Sequence, residues 1–162
     1  MLTQQNYNQI MDLDLFPDDA RIWVFTSDRE VSAVEQQAMA APVLEFLEKW
    51  ATHGKALTAT GAWLNSFQLA IILDQSKVGA SGCSIDALTR FMREIGSANQ
   101  IDWFNRMNNM LIEEQGTVQR IPFTELKNYP NALLFDPLVA TLGDIRGNWP
   151  LPVGESRYKS LI

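Results

Sequence analysis

Apolar positions recur with two different periods along this chain, and the changes of period predict its elements. Ile22-Trp23-Val24-Phe25 is β-branched and aromatic and predicts a strand. Ser27 and Glu30 have the spacing of a capping box, so a long helix is expected to follow, reaching about His53. Its apolar stripe is Val31, Val34, Ala38, Ala41, Leu44, Leu47 and Trp50. Pro42 predicts a kink or a break, and Gly54 suits the position after the last turn. Ala56–Thr60 predicts a second strand, ended by Gly61. Phe67–Leu73 is almost wholly apolar, the pattern of a central strand covered on both faces. After the loop Lys77–Gly82, the spacing of Ile85, Leu88, Phe91, Met92 and Ile95 predicts a second helix, ended by Gly96. Met110–Ile112 and Thr117–Ile121 flank a glycine-containing loop and predict a hairpin. Thr124–Lys127 predicts one helical turn.

The two ends of the chain read differently. In residues 1–20, Ile10, Met11, Leu13, Leu15 and Phe16 suggest an arm that packs on the domain, and Pro17-Asp18-Asp19 suggests a turn. Residues 130–162 carry Pro130, Pro137, Pro150 and Pro152 and predict an extended wrap, with Trp149 as its clamp. The whole is expected to be one domain, 1–162, of α+β class. Its predicted element order is that of a ferredoxin-like split βαβ fold, an antiparallel sheet of four or more strands with two main helices on one face. In that topology the end of the first helix and the start of the second share a rim. His53 and Cys83 are then expected within about 10 Å of each other.

Composition narrows the function classes. Of 162 residues, 46% are hydrophobic and 20% charged, a globular balance that excludes a disordered chain. One Cys and one His exclude an internal disulfide and a zinc site of three or four Cys/His ligands, so no metal and no cofactor is expected. A net charge of −6 argues against a nucleic-acid partner. The longest central apolar run, Leu69–Leu73, is too short to span a bilayer. With no basic residue before Arg21 to start an export signal, and a single thiol, a cytoplasmic location is expected. The phosphate loops of P-loop ATPases and Rossmann enzymes are missing, as is the nucleophile elbow of serine esterases.

The sharpest candidate site is Ser81-Gly82-Cys83-Ser84, at the predicted start of the second helix. Backbone amides and the helix dipole favour an anion or a thiolate there. The same residues also read as an ordinary cap, with Ser84 as N-cap and Cys83 as a small buried side chain. His53 reads either as a C-terminal helix residue or as a general base for Cys83. Arg29 and Arg106 read as anion ligands or as structural and solvated side chains.

Four segments together resemble a family of small bacterial proteins whose members are often labelled "ABC transporter ATPase". They are Arg21–Phe25 with Ser27-Asp28-Arg29, Trp50–Gly54, Ala80–Asp86 and Phe104-Asn105-Arg106. The likeness covers residues 21–149 and passes on no catalytic residues. Members tend to carry an acidic pair after the third strand, where this chain has Asp74-Gln75. The reading that results is a non-catalytic binding or regulatory module for a small anionic ligand or a protein partner. A cysteine-dependent enzyme using Cys83 and His53 is the alternative, and a structural or assembly subunit, such as a homo-oligomer, the third.

Overall fold

The computed structural model describes residues 13–162. The first twelve residues, with Ile10 and Met11 of the expected arm, lie outside it. The chain is a mixed α+β structure with antiparallel sheets. Strand β1 (Arg21–Thr26) leads to helix α1 (Ala33–Lys49) and to a short hairpin of β2 (Ala51–Thr52) and β3 (Lys55–Ala56). Strands β4 (Thr58–Asn65) and β5 (Gln68–Asp74) follow, then helix α2 (Gly82–Asn99) and the hairpin β6 (Met110–Glu114) and β7 (Thr117–Ile121). The rest contains β8 (Leu133–Leu134), the one-turn helix α3 (Leu142–Arg146) and β9 (Leu151–Pro152).

The central sheet has the order β1-β5-β4, with both pairings antiparallel. β5 is its middle strand, which accounts for the unbroken apolar run. Leu69, Ile71 and Leu73 join Met39, Val43 and Leu47 of α1 and Leu88, Met92 and Ile95 of α2 in one cluster. Ala70 and Ile72 point the other way, into a cluster with Phe16, Leu111, Phe135, Leu142, Ile145 and Trp149. Gln68, the one polar side chain of the buried stretch, is fully paired. Its amide nitrogen donates to the Thr26 hydroxyl (3.1 Å) and the Phe135 carbonyl (3.0 Å), and its oxygen accepts from Asn65 (2.9 Å).

Strand β6 does not join this sheet. It pairs with β7 and β8 in a second, four-stranded sheet of order β7-β6-β8-β9. The residues expected only to wrap the domain thus contribute two strands and α3. Trp149 does clamp this tail: its indole N–H donates to the Asp136 carbonyl at 3.0 Å and its ring meets Phe135 edge-on.

Several boundaries differ from expectation, each for a local reason. Ser27 does not start α1. It is buried, and its hydroxyl accepts from the Arg29 amide, while Ser32 and Glu35 form the capping box five residues later. The buried stripe is therefore Met39, Val43 and Leu47, and Val34 is exposed. Pro42 lies within α1 on its exposed side, and the helix runs on past it to Lys49. Gly61 does not end its strand. A β-carbon there would lie 3.2 Å from the Val43 side chain and 3.3 Å from Ile71, so the glycine lets α1 sit close on the sheet. Gly96 does not end α2. A β-carbon there would come within 2.5 Å of the Ile101 carbonyl, so the glycine admits the returning loop, and the helix continues to Asn99.

Candidate functional site

The rim at Ser81–Ser84 is built as a cap. Ser81, not Ser84, is the N-cap: its hydroxyl accepts from the Ser84 amide (3.2 Å), and the Ser84 hydroxyl accepts from the Ser81 amide (2.8 Å) and donates to the Ser81 carbonyl (2.8 Å). Both hydroxyls are spent within the motif, and Ser84 is buried. Cys83 is exposed rather than buried, and Gly82 beside it is exposed as well.

The end of α1 does reach the start of α2. The Trp50 indole N–H donates to the Ser84 carbonyl at 2.8 Å. Burying that indole stops the helix at Lys49, so His53 is not a helix-end residue. His53 (φ 49°) and Gly54 (φ 78°) instead form the exposed two-residue turn of the β2–β3 hairpin. Among the described residues, the Cys83 thiol and the His53 imidazole make no hydrogen bond, to each other or to a third group. A base held against a nucleophile, the first requirement of Cys–His chemistry, is not assembled there.

Three of the arginines are held in ion pairs. Arg29 forms a two-pronged pair with Glu35 (2.8 and 3.1 Å) and donates to the carbonyls of Asn99, Gln100 and Glu30. It joins the start of α1 to the end of α2, where its charge faces the negative end of the helix dipole. The Arg29 hydrogen bond, helped by the Ser32 amide, pulls the Glu35 carboxyl down to about 2. Arg146 pairs with Asp18 and holds the carbonyls of Leu13 and Phe16. Arg157 pairs with the buried Asp136 at 2.7 Å and donates to the Leu138 carbonyl.

Arg21 and Arg106 are among the arginines without an ion pair among the described residues, and both line one cleft of about 250 Å³ between β1 and residues 137–140. Its other walls are Ile22–Phe25 and Pro137–Ala140. The Arg21 guanidinium lies 4.6 Å above the Trp23 ring, a cation–π contact that holds it in place without neutralising it. Exposed Leu138 lines the same cleft, and exposed Met107 follows Arg106 in the chain. A second cleft, of about 490 Å³, shares residues 138–140 with the first and is also lined by Asp136, Trp149 and Arg157. Tyr158 feels both. Burial and then Asp136 raise its phenol, while Arg157 and Arg106 oppose the rise.

Arg106 is thus where sequence reasoning placed a candidate, and Arg29 is structural. Arg21 was missed. The signal for it was present: Arg21 and Trp23 stand two apart in a strand and so share a side. No protein-family profile, curated protein or solved structure matches this chain. No helix among the described residues is long and apolar enough to cross a membrane.

Proposed function

We propose that this chain is a non-catalytic binding module whose ligand is a small anion or the acidic surface of a protein partner, held in the cleft between β1 and residues 137–140. The observation that carries this is the pair of guanidinium groups, Arg21 and Arg106, lining one cleft with no carboxylate partner among the described residues. In a chain of net charge −6, with acids in excess, two unpaired arginines lining one cleft form a local field of the opposite sign. The site is preferred over the rim at Cys83 and His53 because both rim serines are already spent on the cap of α2. The fold that goes with this reading is a ferredoxin-like split order in which β1, β4 and β5 share one sheet and β6 lies in another.

Glutarate is a suitable probe. At constant ionic strength it should shift the Nε–H signals of Arg21 and Arg106 in an arginine-labelled sample, with saturation. The Arg29 signal, paired with Glu35, should stay in place. The double variant Arg21→Gln/Arg106→Gln should bind about tenfold more weakly or worse. Absence of a saturable shift, or equal movement of Arg29, would refute the assignment.

A further inference from the structure

We infer that the occupant of this cleft is an extended acidic peptide segment that adds to the open edge of β1 at Val24, an inference that rests on the anion-binding reading above. Residues of an antiparallel strand alternate in which edge their N–H and C=O face. The Ile22 amide donates to the Ala140 carbonyl at 3.2 Å, so Ile22, and with it Val24 and Thr26, face away from β5. Asn109 closes the far end of this edge by donating to the Thr26 carbonyl at 3.2 Å. Between these two contacts, Val24 has no partner for its outward N–H or C=O among the described residues. Val24 is itself 4% exposed and lines the cleft. Backbone groups in so enclosed a place ordinarily have partners, so a gap of this kind calls for one.

The gap has a structural cause. Continuing the Ile22–Ala140 register by two residues would set Leu138 opposite Val24. The Leu138 amide instead donates to Asp136 Oδ1 (2.9 Å), and its carbonyl accepts from Arg157 (3.1 Å). Pro137, just before it, has no N–H to offer. The natural ladder partner is held elsewhere, and the edge stays open. The cleft of about 250 Å³ has the volume of about two residues of an extended strand. An added strand would satisfy Val24 with its own backbone, as in other strand-addition complexes. Arg21 and Arg106 select for carboxylates on it, and exposed Leu138 offers contact to an apolar side chain between them.

The test uses the full chain and acetyl-Val-Glu-Val-Glu-Val-amide, with the same peptide N-methylated at its central valine, its Gln-for-Glu counterpart, and glutarate. The readouts are binding and hydrogen exchange of the Val24 amide. Support is binding that slows Val24 exchange about tenfold or more and falls about tenfold on N-methylation and on Gln replacement. If the peptide binds through Arg21 and Arg106 but Val24 exchange and the N-methyl analogue are unaffected, strand addition is wrong and the anion reading stands. Binding of glutarate without binding of the peptide likewise overturns strand addition and leaves the anion reading standing. Silence from peptide and glutarate alike overturns both.

Discussion

A methyl group added at Gly96 should destabilise this protein, although the position lies inside a helix. Gly→Ala in a helix interior normally gains about 0.5–1 kcal/mol, through backbone entropy and helix propensity. Here the new β-carbon would meet the Ile101 carbonyl at 2.5 Å and the Trp103 indole at 3.0 and 3.2 Å. The carbonyl is backbone and the indole belongs to a side chain only 2% exposed, so neither can swing aside. The loop would have to lift off α2 and carry Ile101 and Trp103 partly out of the core. Overpacking of this kind costs ~1–3 kcal/mol, and the lost propensity gain makes the contrast larger. We expect Gly96→Ala to lose about 2 kcal/mol, and its melting temperature to fall by roughly 4–8 °C for a chain of this size. Gly82→Ala is the control. It lies in the first turn of α2 with nothing within 4 Å of the new atom, and it should be neutral or stabilising by up to about 0.5 kcal/mol. Urea unfolding of both variants, compared at equal m-value, measures the difference. A Gly96→Ala protein as stable as the parent would refute the close packing of the Ile101–Trp103 loop on α2.

Gln68→Leu keeps the volume of a buried side chain but strands the Thr26 hydroxyl and the Phe135 carbonyl, so urea unfolding should show a loss of about 2 kcal/mol. Glu35 has its folded value depressed to about 2 by Arg29 and Ser32. Its stabilising contribution is therefore complete above the unfolded value of about 4.3 and is lost as pH falls from there towards 2. Melting temperatures of the parent and Glu35→Gln should differ at pH 7 and converge by about pH 2; a constant gap would dissociate Glu35 from the acid response. Cys83 is exposed and unbonded, so Cys83→Ser should unfold within about 0.5 kcal/mol of the parent, and a larger loss would mean the thiol is packed.

How far the residues announced the fold depended on the range of the signal. The strand at Ile22–Phe25, the central place of Phe67–Leu73 and the Gln115-Gly116 hairpin were readable because period and turn chemistry are local. The glycines misled, because local reading takes Gly61 and Gly96 as breakers. Gly61 admits Val43 of α1, and Gly96 admits the loop at Ile101 and Trp103 that folds back on α2, close approaches that only tertiary packing reveals. Ser27-Glu30 and Ser32-Glu35 have the same spacing, and burial of Ser27 decided between them. At the candidate site, Arg106 was visible and Arg21 was not. What distinguishes either from Arg29 is the lack of an ion pair among the described residues, a property that no stretch of sequence carries.

The three paired arginines show what the open edge depends on. Each joins a carboxylate to one or more backbone carbonyls, using the several donors of the guanidinium fork. For Arg29 and Arg146 those carbonyls lie at the end of α2 and in the turn before β1, and the pairing is architectural. For Arg157 the carbonyl is that of Leu138, the residue in register with Val24. Removing the guanidinium should therefore let Leu138 move towards β1 and satisfy Val24 from within the chain. Arg157→Gln tests this with no ligand present. The Val24 amide should exchange more slowly than in the parent, although the protein as a whole loses stability because buried Asp136 has lost its partner. Global destabilisation alone moves exchange the other way, so the two effects separate by sign. If Val24 exchanges faster in Arg157→Gln in step with its neighbours in β1, Arg157 is only a structural pair, and the edge is held open by something else.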